Sequence, residues 1–487
     1  MNYKVVFSIL GKTMLIEALL MLLPAFVGVF YQDGEFIAFL IPILLLCAVG
    51  IPLTFIKTKD NSLYAKEGFV IVSLSWIVLS LLGALPFVIS GWIPNYINAF
   101  FETVSGFTTT GASRLNGDVI DSMSKGMMFW RLFTHWIGGM GILVFVLAIM
   151  PANNAGVMHV FRTESPGPTV GKLASKLRFT ARILYGMYIA MTVIEFIFLV
   201  VGDLPVYDAL LMSFSTAGTG GFGIRSDSAI SYSSYTQVVI AVFMFLFSIN
   251  FNAYYFVLIG SVRKVFQIEE VRVFFGMVLV ATVTIAINIF VSMSNVYATF
   301  GEALKHSFFQ VASISSTTGL SSVNYDTWPE FSKAIIVLLT IVGACAGSTG
   351  GGMKLSRVMI LCKSSASEFK RLIHPRAVVT TKFEGEVLDG KTERNVRTYF
   401  ILWALIVAVT TLLLTLDGRV DLFSNFTATL ACVGNVGPGL GEIVGPAGNY
   451  ETYSYFSKIL LSFVMLLGRL EIFPMLILFI PRTWRKG

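Results

Sequence analysis

The sequence predicts an all-α polytopic membrane protein of about ten transmembrane spans: an N-terminal helix pair followed by four repeated helix–re-entrant-loop–helix units. Three observations carry that prediction. The composition is 55% hydrophobic and 13% charged, whereas charged residues make up about a quarter of a soluble chain. Apolar runs of about twenty residues, enough to cross a bilayer core, recur along the whole chain. Four short apolar segments each run into a loop of small residues built on a central glycine.

The first two spans, at 8–31 and 36–56, make the N-terminal pair (1–60). The first is too long, and too poorly followed by a small-residue cleavage site, for a signal peptide. Unit 1 (61–155) has a span at 69–91, a short helix at 96–108, a loop at 105–112 and an inner span at 126–150. Unit 2 (156–265) repeats the order with 180–202, 205–215, 215–222 and 236–260. Unit 3 (266–380) does so with 273–293, 300–314, 315–320 and an interrupted span at 333–362. Unit 4 (381–487) has 398–416, 421–432, 433–438 and 456–480. The central glycines Gly111, Gly220, Gly319 and Gly437 lie roughly 100 to 120 residues apart, the spacing of a repeated structural unit. Each short helix is too short to cross a membrane, so its flanking backbone must be buried in protein or line water.

The formal charge of +7 is unevenly placed. Lysine and arginine collect at 57–66, 162–182, 263–272, 363–397 and 482–486, and are sparse at 32–35, 113–122, 225–234, 321–330 and 440–453. The positive-inside rule makes the first group and both termini cytoplasmic. All four glycine loops then fall on the outer side. No compact basic domain exists to bind nucleic acid. Cys47, Cys345, Cys362 and Cys432 lack paired spacing and read as small apolar fillers.

Four loops in one chain can surround one axis, and rings of backbone carbonyls are how a protein replaces the water shell of an alkali cation. Glycine permits the left-handed backbone angles that turn several carbonyls inward. The flanking Thr109, Thr110, Thr219, Thr317 and Thr318 are small, and their hydroxyls can support the loop or add an oxygen. In loop 4 Asn435 and Val436 precede Gly437, so the ring is not chemically fourfold. Asp208, Glu302 and Asp421 open three of the short helices and suit their positive ends, leaving the negative ends towards the loops. No loop carries an acid at its glycine, which favours a large monovalent cation over a divalent one.

The lead-in and loop Phe101-Glu-Thr-Val-Ser-Gly-Phe-Thr-Thr-Thr-Gly111, the stretch Trp136-Ile-Gly-Gly-Met-Gly141 and Asn435-Val-Gly-Pro-Gly439 together resemble the Trk/Ktr/HKT superfamily of potassium transporters. The N-terminal pair makes the likeness strongest to its bacterial TrkH/TrkG members, and it covers essentially the whole chain. The resemblance implies four units around a pseudo-fourfold pore and potassium uptake across the bacterial inner membrane. It implies a filter formed by Thr109, Thr110, Gly111, Thr219, Gly220, Thr317, Thr318, Gly319, Asn435, Val436 and Gly437, with potassium as substrate and no covalent cofactor. Glycine rather than serine at 111 favours potassium over sodium. A homodimer is implied, with a cytosolic nucleotide-binding regulatory subunit docking on the basic loops. No phosphate-binding motif occurs here, so nucleotide control would come through that subunit.

Within the third inner span, Gly343-Ala-Cys-Ala-Gly347-Ser-Thr-Gly350-Gly351-Gly352 cannot sustain a helix, since each glycine costs about 1 kcal/mol relative to alanine. The family implies a mobile intramembrane loop here that occludes the pore; a close-packing patch of small residues is the structural alternative. Arg469 lies at membrane depth and must face protein or water. The family puts the matching arginine at the pore, where its charge impedes cations; a structural pairing with Glu471 is the alternative. Lys354 is a weaker gate candidate, Glu102 a brace behind the filter, and Arg131 with His135 a polar pair one helical turn apart.

A secondary symporter coupling potassium to protons or sodium is the rival reading. It requires two inverted halves rather than four like-oriented units, and coupling carboxylates within spans; only Glu17, Glu195 and Glu471 are candidates, and none sits beside a glycine break in matched halves. An intramembrane enzyme would need a catalytic set, and the four histidines show no such spacing.

Overall fold

The computed structural model describes residues 1–56, 65–141 and 177–484. The basic stretches 57–66 and 162–182, and the end of the 126–150 span, lie largely outside the described residues. Among the described residues six helices are long and apolar enough to cross a membrane. They are the N-terminal pair, Tyr3–Phe30 and Phe36–Thr54, and the four helices that open the units: Lys66–Ile89, Ala181–Val201, Glu269–Ser292 and Gly390–Thr415. Large apolar side chains such as Phe26, Phe30, Leu279 and Leu412 stand exposed on them, which a bilayer accommodates and water would not. The N-terminal pair packs closely because Gly11 faces Gly50. A Cβ on Gly11 would lie 2.8 Å from the Gly50 carbonyl oxygen. Gly28 meets Gly126 in the same manner, joining the pair to unit 1.

Four short pore helices follow the peripheral helices: Tyr96–Phe107, Val206–Ala217, Phe300–Ser315 and Leu422–Val433. Asp208 and Glu302 sit in first turns, and Asp421 is an N-cap whose carboxylate accepts from the Ser424 amide. The first pore helix is capped instead by Asn95, which accepts from Ile97 and Asn98. Each inner helix packs against the pore helix of the next unit. Lys125–Gly139 meets the second pore helix, Ser234–Phe247 the third, Glu330–Val342 the fourth, and Tyr455–Arg469 returns to the first. That closes a ring of units.

The inner helices depart from the expectation of a break in the third alone. Ser234–Phe247 turns through 92° into Phe251–Leu258, with Asn250 capping the second piece by accepting from the Asn252 amide. Tyr455–Arg469 stops at Leu470, where Glu471 and Ile472 take positive φ of 60° and 64° before Pro474 begins a new turn. Lys125–Gly139 ends beside Gly141 at φ 75°. Counted as one span, the bent pair makes seven among the described residues; the rest of the expected ten are broken helices or run beyond the described residues.

Candidate functional site

The four pore helices end in one motif. The amide of the residue just past the helix cap bonds three residues back, and the next amide bonds five back. In unit 1 these are Thr109 to Gly106 (3.1 Å) and Thr110 to Ser105 (2.9 Å). In unit 2 they are Thr219 to Thr216 (2.9 Å) and Gly220 to Ser215 (2.9 Å). Unit 3 has Thr317 to Ile314 (3.0 Å) and Thr318 to Ser313 (2.8 Å). Unit 4 has Asn435 to Cys432 (3.3 Å) and Val436 to Ala431 (2.8 Å). This is a Schellman ending, whose left-handed position normally holds glycine or asparagine. Here Thr109, Thr219, Thr317 and Asn435 hold it, with φ of 53°, 52°, 63° and 53°. A β-branched residue there is strained by about 1–3 kcal/mol, so the surrounding packing imposes the conformation.

Two residues on, Gly111, Gly221, Gly319 and Gly437 take φ of 81°, 83°, 83° and 95°. The hydrogen-bond register therefore corrects one expectation: the counterpart of Gly111 in loop 2 is Gly221. Gly220 stands at the level of Thr110, Thr318 and Val436. The run Gly218-Thr-Gly220-Gly221 offers several glycines, and only the helix ending decides among them.

These four glycines close a ring in cyclic order. A Cβ on Gly111 would lie 2.2 Å from the Gly220 carbonyl oxygen, and one on Gly221 1.9 Å from that of Thr318. On Gly319 it would lie 2.0 Å from the Val436 oxygen, and on Gly437 2.4 Å from that of Thr110. Each glycine thus touches the carbonyl of the residue preceding the next loop's glycine. All four line one cavity of about 130 Å³. The oxygens that these four contacts bring to the ring are backbone carbonyls, and no group of three or more His, Cys, Asp or Glu among the described residues could hold a metal ion.

Directly against loops 3 and 4 lies segment 343–354, between Glu330–Val342 and Leu355–Ile373. Gly343, Gly347 and Gly352 have φ of 70°, 70° and 81°. Gly351 donates its amide to Thr317 Oγ1 (2.6 Å). A Cβ on Gly350 would meet the Ser316 carbonyl oxygen at 2.6 Å, and one on Gly351 that of Gly434 at 2.5 Å. Lys354 donates to Gly350 within the segment. Arg469 donates to the carbonyls of Thr349 (3.0 Å), Gly138 (2.5 Å) and Gly139 (2.8 Å), tying the segment to the end of the first inner helix. Glu471 pairs with Arg357, which also lies over the Tyr399 ring at 4.0 Å.

The TrkH family profile, described as a cation transport protein, matches residues 36–486. The chain belongs to the TrkH family. It is 35% identical to the Trk system potassium uptake protein TrkH of Salmonella typhimurium and to that of Escherichia coli, over all of both chains. It is 30% identical to TrkG of Escherichia coli across 100% of this chain and 99% of that protein. The crystal structure of the potassium transporter TrkH from Vibrio parahaemolyticus superposes with a TM-score of 0.89 at 32% identity, covering both chains fully. The family is one of transporters rather than enzymes.

Within this TrkH-family fold, the polar pair on the first inner helix does work that sequence spacing does not suggest. Arg131 and Glu102 form a buried ion pair (2.8 Å). Arg131 also donates to Gly223 O (3.0 Å) and Ser113 Oγ (3.2 Å), and its guanidinium lies 3.8 Å from the Phe222 ring centroid. Glu102 accepts from Ser113 Oγ (2.8 Å) and the Arg114 amide (3.1 Å). His135 donates from Nδ1 to Gly106 O (2.9 Å) and accepts at Nε2 from the Phe222 amide (3.2 Å), which makes it the neutral Nδ1–H tautomer. Loops 1 and 2 are thereby braced from one helix. Across the closing junction, Asn435 Nδ2 donates to Thr110 Oγ1 (3.0 Å) and Met465 O (3.0 Å).

Proposed function

We propose that this chain conducts potassium ions into the cell, selected at the ring of Thr110, Gly111, Gly220, Gly221, Thr318, Gly319, Val436 and Gly437 backbone. The observation that carries the reading is the closed cyclic contact of four glycines with four carbonyls. Such a ring replaces hydration oxygens without charged side chains and so suits a large monovalent cation. Thr109, Thr219, Thr317 and Asn435 hold the loops from behind. The relatives TrkH of Salmonella typhimurium and Escherichia coli are potassium uptake proteins, which agrees with this substrate.

Segment 343–352, with Gly343, Gly347, Gly350, Gly351 and Gly352, is the gate in this reading, and Arg469 latches it. The support is that the segment touches loops 3 and 4 and that Arg469 bridges it to the first inner helix. Flux runs down the membrane potential, about 2.3 kcal/mol per charge per 100 mV. The protein sits in the bacterial inner membrane with both termini cytoplasmic and works as a homodimer with a cytosolic nucleotide-binding subunit of the Trk system. It carries no covalent cofactor of its own.

Cation flux into liposomes holding the purified protein tests the filter. Preference for K⁺ and Rb⁺ over Na⁺ and Li⁺, relaxed by Gly111→Ser, is expected. Flux indifferent to both cation and substitution would remove the ring from the pathway.

A further inference from the structure

Glu270 is a buried carboxylate in the first turn of Glu269–Ser292, and the ring does not use it. Its Oε1 accepts two amides that bracket the glycine-rich part of segment 343–354: Ala346 at 2.8 Å and Ser356 at 3.1 Å. Ser356 belongs to the first turn of Leu355–Ile373, where free amides and the helix dipole both favour an anion. One oxygen thus ties Ala346, near the start of the segment, to Ser356, just past its end. Backbone bonds anchor the segment as well, Leu355 N to Ala344 O (3.1 Å), Cys345 N to Ser248 O (3.2 Å) and Phe251 N to Gly347 O (3.0 Å), beside side-chain bonds from Thr349 Oγ1 to Phe247 O (3.2 Å) and from Arg469 to Thr349 O (3.0 Å).

A second carboxylate reaches Glu270 from an exposed element. Lys382–Phe383 and Glu386–Val387 form a small antiparallel hairpin, Phe383 opposite Glu386. Its two turn residues, Glu384 and Gly385, both have positive φ (52° and 79°), as a tight primed turn requires. That turn aims the Glu384 carboxylate at the start of Glu269–Ser292. Oε2 accepts the Glu269 amide (2.9 Å) and Oε1 the Glu270 amide (3.0 Å). The buried Phe383 anchors the hairpin, and Lys363 pairs with Glu269 while donating to Lys382 O (3.1 Å). The turn itself is exposed.

We infer that Glu270 is a positioning residue that holds segment 343–354 in its occluding place, and that the exposed Glu384 turn sets Glu270 by capping its backbone. This rests on the reading of that segment as the gate. The chain of bonds is continuous: Glu384 to Glu270, Glu270 to Ala346 and Ser356, and the segment through Gly351 to Thr317 of the ring. A protein or ligand that displaces the hairpin would loosen the segment without touching the ring.

The experiment measures K⁺ and Na⁺ flux into liposomes and thermal melting for the full chain and for Glu270→Ala, Glu270→Gln, Glu384→Ala and Arg469→Ala. Losing a charge-assisted hydrogen bond from the occluded state alone predicts about a tenfold rise in K⁺ flux for Glu270→Ala. Glu270→Gln keeps an acceptor and restores part of the closure; Glu384→Ala gives a smaller rise. All leave the K⁺/Na⁺ ratio unchanged, which a merely structural lesion near the ring would not do. Glu384→Ala changes an exposed side chain and keeps the question answerable should Glu270→Ala fail to fold. If Arg469→Ala raises flux while the folded Glu270 and Glu384 variants match the parent or fall below it, the inference is overturned and the gate stands. If none of them raises flux, the gate reading itself falls.

Discussion

Adding a single methyl group at Gly221 separates the ring register described above from the neighbouring one. An alanine Cβ there would lie 1.9 Å from the Thr318 carbonyl oxygen. Ordinary contact requires that oxygen to retreat by more than about 1 Å. The residue also sits at φ 83°, which costs an L side chain about 1–2 kcal/mol. Because Thr318 N is tied to Ser313 O and Thr318 Oγ1 to Ser316 Oγ, its peptide yields by rotating, which turns the carbonyl off the axis. Losing one ligand direction of four, at about 1.4 kcal/mol of discrimination, lowers the K⁺/Na⁺ flux ratio about tenfold. Gly220→Ala differs in kind. Its Cβ would lie 2.1 Å from His135 Cγ, so it strikes the brace behind the loop and lowers the melting temperature first. The assay is paired ⁸⁶Rb⁺ and ²²Na⁺ uptake into liposomes with thermal melting of the same preparations. A Gly221→Ala protein with parental selectivity and flux would refute the assignment of Gly221 to the ring.

Other outcomes follow from the same contacts. Glu102→Gln leaves Arg131 buried beside a neutral partner, and breaking such a pair costs about 3–5 kcal/mol; chemical denaturation or melting in detergent reads the loss. A Glu102→Gln/Arg131→Met double variant recovers part of that stability, which a double-mutant cycle measures. Asp421→Ala removes the cap on Ser424 N (3.0 Å) and lowers stability by about 1 kcal/mol, with the K⁺/Na⁺ ratio unchanged. His135→Phe removes both bonds to Gly106 and Phe222; uptake assays are expected to show weakened cation discrimination, since loops 1 and 2 lose their common strut.

The four loops and the membrane character were readable because hydropathy and the glycine–threonine pattern are local properties of the chain. The register of loop 2 was not, since Gly218, Gly220 and Gly221 differ only in where the preceding helix stops. Breaks at 248–250 and 470–472 are invisible to an average over a span; Asn250 and Pro474 were the available cues, and each is a single residue inside an apolar run. The partners Glu102 and Arg131 lie 29 residues apart, and Glu270 lies 76 from Ala346. Only the closed packing of the units sets such groups side by side. Arg469 stands out in the sequence for its cost at membrane depth, but the backbone carbonyls of Thr349, Gly138 and Gly139 that accept from it have no sequence signature.

The ring is drawn from one polypeptide, and its four sectors share a backbone geometry while differing in side chains. Every sector is therefore encoded once. A ring assembled from identical subunits takes any substitution four times over, so its response jumps from intact to wholly altered. Here the dose advances by quarters, and each quarter can be placed at a chosen compass point. Selection among cations can then be recorded as a graded series against the number and position of altered sectors, which distinguishes a site that adds its oxygens independently from one that works only when the circle is complete.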